Sequence, residues 1–277
     1  MRELSRAWRR DGERVGLVPT MGNLHAGHLA LVERLAPEVD RLVVSIFVNP
    51  LQFGPDEDYD AYPRTLEADV AALEGFGVDA VFAPSTREMY PGGEAPWTGI
   101  DLPALTGTLC GASRPGHFAG VAVVVAKLLN IVEPDLAAFG QKDYQQLQVI
   151  RRLVADLDFP VGIVAVPIVR EADGLALSSR NGYLSAEQRR RAPELYATLQ
   201  EMAGALAAGR REPAAIEREG ARRLRAAGFD AIDYVAIRRP GDLAEPRGDE
   251  TALICLAAAY LGEARLIDNV EVQLNGA

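Results

Sequence analysis

The stretch Val15–His28, V-G-L-V-P-T-M-G-N-L-H-A-G-H, constrains this chain more than any other. It begins as an apolar run ending at Pro19, the pattern of a strand buried on both faces. It then passes through glycine into Leu29, Leu31, Val32 and Leu35, which recur at helical spacing. A buried strand that turns directly into a helix presents the helix's first N–H groups, and the positive end of its dipole, beyond the strand's carboxyl end. Anions bind at such places. His25 and His28 bracket Gly27 at the helix start, three residues apart and so on one face, and the whole chain has 3 histidines.

Downstream the same alternation continues. Arg41–Val48 is a second apolar, β-branched strand stopped by Asn49-Pro50, which makes a βαβ unit with the first. A loop over Leu51–Pro63 carries Asp56, Glu57, Asp58 and Asp60; a helix over Thr65–Glu74 with Thr65 as N-cap and a strand over Asp79–Ala83 follow. Pro84–Pro115 is Gly- and Pro-rich and reads as a loop or lid. A helix around Phe118–Val132, a strand over Asp135–Phe139, a turn at Gly140–Asp143, a helix near Tyr144–Asp156 and a strand over Val161–Val166 complete five apolar strands alternating with helices. That order predicts a doubly wound parallel α/β sheet, with ligands at the strands' carboxyl ends near the switch point.

Beyond Arg170 the pattern changes. A polar turn region, Glu171–Arg180, leads into helical stretches over Ala186–Ala208 and Pro213–Ala227, and then strands over Ala231–Ile237, Ala252–Ala258 and Ala264–Val272. Helices followed by successive strands predict a smaller α+β domain with an antiparallel sheet. The expected division is 1–169 and 170–277.

With a formal charge of −10, the chain lacks the electrostatic footprint of a nucleic-acid or anionic-membrane binder, and arginine clusters such as Arg189–Arg191 read as solvated helix faces. Met1–Arg14 is polar and arginine-rich without an apolar core, so no signal peptide is expected there. The longest apolar stretch, Val121–Val132, is too short to cross a bilayer and reads as a buried helix. Cys110 and Cys255, far apart, form neither a disulfide framework nor a metal knuckle, which suits a reducing cytoplasm; both are expected to be buried.

Three clusters suit a triphosphate. At Gly22–His28 the helix dipole favours neutral imidazoles, which can still donate N–H bonds to phosphate oxygens. Gly140-Gln141-Lys142-Asp143 follows another strand, and of 29 basic residues only Lys127 and Lys142 are lysine, so a lysine kept there suggests a need for a compact ammonium. Leu177-Ser178-Ser179-Arg180 places two hydroxyls and a guanidinium between Gly174 and Gly182, although an ordinary turn explains that tetrapeptide equally well. Neither GxGxxG after the first strand nor GxxxxGK[ST] occurs, and HExxH is absent, so the dinucleotide fingerprint, the P-loop and a zinc protease site do not apply.

An HxGH turn followed by a Ser-Ser-Arg loop resembles the nucleotidylyltransferase superfamily. P-T-M-G-N-L-H-A-G-H, F-V-N-P-L-Q-F, Y-P-R-T, G-H-F-A-G-V, F-G-Q-K-D-Y-Q-Q-L and D-G-L-A-L-S-S-R-N-G-Y-L, in this order, resemble the pantoate–β-alanine ligase family. Gln141 stands where the family commonly has glutamate and Ala26 where an acid is common; neither supplies an ammonium or imidazole. The resemblance implies a Rossmann-like catalytic domain and a C-terminal domain covering the active site. It implies an AMP-forming ligase of pantothenate biosynthesis that condenses (R)-pantoate with β-alanine through a pantoyl-adenylate, with ATP as co-substrate and Mg²⁺. It further implies a cytoplasmic homodimer with small-molecule substrates and neither nucleic-acid nor membrane partners.

Residue by residue, the resemblance puts Met21, Gly22, Asn23, Leu24, His25, Ala26, Gly27 and His28 on ATP, with His28 the catalytic acid and His25 beside it. Gly140, Gln141, Lys142, Asp143, Val169, Leu177, Ser178, Ser179 and Arg180 complete the nucleotide site, with Lys142, Ser178, Ser179 and Arg180 on the phosphates. Gln52 and Gln146 would hold pantoate, Asp69 would lie near Mg²⁺, and His117 falls in the G-H-F motif. An adenylyltransferase that stops at nucleotide transfer and a non-catalytic nucleotide sensor are the rival readings; a tRNA synthetase is disfavoured by the acidic, short chain.

Overall fold

The computed structural model describes residues 1–55, 57–93 and 98–274. Asp56 of the acidic loop and Glu94–Trp97 of the expected lid lie outside them. The described chain forms two compact units: Met1–Thr106, Arg114–Gln141 and Gln146–Pro167 make the first, and Gly107–Ser113, Lys142–Gln145 and Ile168–Ala277 the second.

In the first unit, strands β1 (Val15–Thr20), β2 (Arg41–Ile46), β3 (Ala80–Phe82), β4 (Leu136–Gly140) and β5 (Gly162–Val166) form a sheet of order β3-β2-β1-β4-β5. Every pairing is parallel: Val15–Thr20 aligns with Arg41–Ile46, and Gly16 and Leu17 pair with Leu136 and Ala137 on the other side. The chain winds outward from β1 to β3 and then returns beyond β1 at β4, so β1 and β4 flank the switch point. Alternate strand residues face opposite sides, as a pleated strand requires. Val15, Leu17, Val43, Ala137 and Phe139 pack with helix α7 (His117–Val132) and with Leu147, Ile150 and Leu153 of α8 (Tyr144–Asp156). Val18, Leu42, Val44 and Ala138 pack with α2 (Ala26–Leu35) and with Leu73 of α3 (Leu66–Leu73). This is the Rossmann-like double winding.

Two departures from the sequence reading fall in this unit. The polar lead folds as helix α1 (Arg2–Arg10), with Met1 and Trp8 against the core, while Arg6 pairs with Glu133 at 2.7 Å and Arg9 with Asp135 at 3.0 Å. The described residues of Pro84–Pro115, read as irregular, hold three short helices: α4 (Thr86–Met89), α5 (Pro103–Thr106) and, in the second unit, α6 (Leu109–Ser113).

The second unit has the antiparallel sheet β6 (Ala231–Arg238), β7 (Ala252–Leu261) and β8 (Ala264–Gln273), in that order. Its core is built from helices α10 (Glu194–Ala207) and α11 (Pro213–Ala226), through Leu195, Leu199, Leu206, Ile216 and Leu224, against Leu253, Cys255, Ala257 and Leu266. The expected single helix over Ala186–Ala208 is interrupted: α9 (Ala186–Arg191) ends before Pro193, whose ring and missing N–H cannot continue it. Both cysteines are buried and free. Among the described residues no helix is long and apolar enough to cross a membrane.

Candidate active site

The turn after β1 takes a shape few residues allow. Gly22 has φ +81° and Asn23 φ +51°, both left-handed, and a Cβ at position 22 would lie 2.9 Å from Asp69 Oδ2 and 3.1 Å from Ile46 Cγ2. Glycine there is required by conformation and by space together. The turn is tied down from α3, because the Asp69 carboxylate accepts from the Asn23 N–H at 3.0 Å and from the Leu24 N–H at 2.7 Å. Thr65, which occupies the N-cap position of α3 without capping it, donates its hydroxyl to Asp69 Oδ2 at 3.1 Å. Asp69 is 3% exposed, so water hardly competes for these bonds.

The two histidines then cap the start of α2. His25 Nδ1 accepts from the Gly27 N–H at 3.1 Å, and the His25 N–H donates to His28 Nδ1 at 3.3 Å, with the ring centroids 4.1 Å apart. An imidazole that accepts at Nδ1 carries its proton on Nε2 when neutral. Each ring is therefore set as an Nε2–H donor, the form that can bond a phosphate oxygen without adding a full charge. Met21 reaches the Gln52 side chain, whose Nε2 lies 2.9 Å from Met21 Sδ, while the Asn49 amide donates to Gln52 Oε1 at 3.2 Å. Thioether sulfur is a weak acceptor, so the Gln52 amide would give a better bond to a carboxylate or hydroxyl oxygen. Gly140 ends β4 and Gln141 opens the following turn, which puts both at the same end of the sheet as Met21. Gln146 lies on α8, partly buried.

In the second unit, the main chain of Lys142 is held by β8: the Asn269 side-chain amide donates to the Lys142 carbonyl at 3.1 Å, and the Tyr144 hydroxyl donates to Glu271 at 2.6 Å. Val169 and Leu177 come together across a short hairpin, the Leu177 N–H donating to the Val169 carbonyl at 3.0 Å. Ser178 caps the 3₁₀ turn Ser179–Tyr183, its hydroxyl accepting from the Arg180 N–H at 3.3 Å, so Ser178, Ser179 and Arg180 share one rigid turn. The hairpin is fastened by Arg170, which pairs with buried Asp268 through two bonds of 2.6 and 2.8 Å, donates to the Gly174 carbonyl at 3.0 Å and stacks 3.6 Å over the Tyr196 ring. A bidentate guanidinium–carboxylate pair fixes geometry as well as adding strength.

Several of these supports, Asp69 as a turn anchor, Arg170 with Asp268, and Asn269, had no motif to announce them. The other lysine has a structural place, with the Lys127 ammonium 5.6 Å over the Tyr90 ring.

Asp69, expected near Mg²⁺, gives its carboxylate to the Asn23 and Leu24 N–H groups and to the Thr65 hydroxyl, and so acts in this structure as the anchor of the turn. Among the described residues no group of three or more His, Cys, Asp or Glu is placed to hold a metal ion.

A five-stranded parallel sheet with an HxGH turn at its switch point, in a chain that also forms a small antiparallel unit, defines a nucleotide-binding enzyme of the Rossmann-like class. The chain belongs to the pantoate-beta-alanine ligase family, whose model matches residues 1–271. It is 78% identical over 274 residues to the pantothenate synthetase of Halorhodospira halophila, covering 99% of this chain and 96% of the relative. The structure is similar to that of the Thermus thermophilus pantothenate synthetase, with TM-score 0.90, 52% identity and coverage of 98% and 97% of the two chains. It is also similar to the Francisella tularensis pantoate-beta-alanine ligase complexed with beta-gamma ATP and beta-alanine, with TM-score 0.79, 33% identity and coverage of 97% and 94%.

Proposed function

We propose that this chain condenses (R)-pantoate with β-alanine, with ATP cleaved to AMP and pyrophosphate, in two steps. The observation that carries the reading is the HxGH turn, braced at the switch point of a chain that matches the ligase family along nearly its whole length. In the first step a pantoate carboxylate oxygen attacks the α-phosphorus, the bond to the bridging oxygen breaks, and pyrophosphate leaves. The obstacle is accumulated negative charge, and donors fixed in advance lower it most. His25 and His28 serve through Nε2–H hydrogen bonds, with His28, the catalytic acid that the resemblance implies, donating its hydrogen bond toward the departing pyrophosphate, and Lys142, Ser178, Ser179 and Arg180 act on the phosphates. Met21–His28, Gly140–Asp143, Val169 and Leu177 line the nucleotide.

Gln52 and Gln146 hold pantoate by amide bonds to its hydroxyls and carboxylate, adding no charge to compete with the phosphates. In the second step the β-alanine amine attacks the acyl carbon of the pantoyl-adenylate, AMP leaves, and the nitrogen gives up a proton. Mg²⁺ belongs to this reading as the counter-ion of the triphosphate, since such an ion usually keeps several waters and is bound through substrate phosphates with one or two carboxylates. Asp69 braces the turn. A cytoplasmic setting accords with two free, buried cysteines, and a homodimer with the family resemblance.

The test is isotope exchange. Labelled pyrophosphate should enter ATP when pantoate is present and β-alanine is absent. Exchange that needs no pantoate, or that fails with it, would overturn the two-step reading.

A further inference from the structure

The third histidine lies outside the phosphate-binding turn, in a network built around one carbonyl. Arg114 donates to both oxygens of Glu57, from Nε at 2.7 Å and from Nη2 at 2.5 Å, and the same Nη2 lies 3.3 Å from the Gln52 main-chain oxygen. Its Nη1 is 3.0 Å from His117 Nε2. A guanidinium has no acceptor, so His117 Nε2 must accept, and the ring's proton resides on Nδ1. That Nδ1 is 2.7 Å from the Gln52 oxygen, to which it donates. Burial would push the Glu57 carboxyl up, but the Arg114 hydrogen bonds and charge outweigh it and hold the carboxyl below its ordinary value.

Every other side of the Gln52 turn is also fixed. The 3₁₀ turn Pro50–Gln52 packs on α7 so closely that a Cβ at Gly120 would come within 2.0 Å of the Leu51 oxygen. Asn49 reaches the Gly120 oxygen at 3.2 Å and accepts from the Tyr90 hydroxyl at 2.7 Å. Gln52 itself is 9% exposed, so its amide has few rotamers left once its main chain is held.

We infer that His117, oriented by the Glu57–Arg114 pair, is a positioning residue that sets the Gln52 amide for the acid substrate. It acts through Gln52 and touches no substrate. The inference rests on Gln52 holding pantoate, as proposed above.

The imidazole's two nitrogens can be replaced separately. Asparagine puts an N–H where Nδ1 stands and can still donate to the Gln52 oxygen, whereas glutamine reaches the Nε2 position and cannot. The experiment is steady-state kinetics of the full-length enzyme, with Tm, for Gln52→Ala, His117→Ala, His117→Gln and His117→Asn. A lost hydrogen bond of ordinary strength changes an equilibrium about tenfold. His117→Ala and His117→Gln should therefore raise the KM for pantoate about tenfold and leave the KM for ATP within about twofold, while His117→Asn stays within about threefold for both. Should His117→Ala not fold, the glutamine and asparagine variants decide the matter.

Three results would overturn the inference. An unchanged pantoate KM in Gln52→Ala removes the reading underneath it. A raised KM in Gln52→Ala with unchanged values in His117→Ala and His117→Gln removes the inference alone. An asparagine variant as impaired as the glutamine one, with both KM values and Tm moved together, makes His117 a packing residue only.

Discussion

Replacing Asp69 by alanine should disable the turn proposed to bind the triphosphate while leaving the sheet intact. The carboxylate accepts three bonds, at 3.0 and 2.7 Å from the N–H groups of Asn23 and Leu24 and at 3.1 Å from Thr65. Bonds to a charged acceptor contribute about 1.5–3 kcal/mol each, and two part-buried N–H groups would lose theirs with little water to replace them. The turn also holds Asn23 in a left-handed conformation that costs about 1 kcal/mol and persists only while anchored. Since such terms are not additive, the loss to the ordered turn comes to about 3 kcal/mol, a factor of roughly 100 in its population. Asparagine keeps one acceptor oxygen but sets an NH₂ group against an N–H donor, so Asp69→Asn should forfeit about half of that.

The assay is the KM for ATP together with urea denaturation and a Mg²⁺ titration. Asp69→Asn should fold, raise the KM for ATP about tenfold and leave the concentration of Mg²⁺ for half-maximal rate unchanged. A wild-type KM for ATP in both variants would refute the brace. So would a defect abolished by excess Mg²⁺, because it would make the carboxylate a metal ligand.

Other consequences are simpler to read. Gly22→Ala forces a side chain into a left-handed turn 2.9 Å from Asp69 Oδ2 and should destabilise the protein by about 1–3 kcal/mol in urea melts; an unchanged midpoint would contradict the geometry. Because the Glu57 carboxyl sits below its ordinary value in the folded chain, its contribution is present above the ordinary carboxylate range and lost as pH falls through the folded value. The Tm advantage of wild type over Glu57→Gln should therefore be greatest near neutrality and shrink on acidification, and a gap that widens with acid would be the wrong sign. Burial, with the charge of Glu217 adding to it, pushes the Cys255 thiol up to about 12. Cys255 should resist a disulfide reagent at pH 8 until the chain is unfolded, and prompt labelling in the native state would exclude this burial.

Much of the fold lay open in the sequence because its elements announce themselves locally. Five apolar runs separated by helical periodicity predict the parallel sheet and its strand limits to within a residue or two. Helix α1 escaped because Arg2, Glu3, Ser5, Arg6, Arg9 and Arg10 leave it little apolar pattern, and its arginines find their acids at Glu133 and Asp135, far along the chain. The break at Pro193 is readable from the proline alone, yet the long alanine- and arginine-rich pattern around it masks it. At the site the same division holds. The histidines, Lys142 and the Ser178–Arg180 turn are contiguous motifs. Asp69 works across 46 positions, Arg114 across 57 and Arg170 across 98, as hydrogen bonds that exist only after folding. Sequence names the groups that would meet the substrate more readily than the groups that hold them still.

The most direct measurement is product formation by the purified protein with ATP, Mg²⁺, pantoate and β-alanine. Pantothenate and AMP should accumulate in equal amounts only when all are present, and His28→Ala or Lys142→Ala should slow this by orders of magnitude while leaving the urea midpoint close to wild type. No AMP from the complete mixture, or ordinary rates in those two variants, would contradict the account.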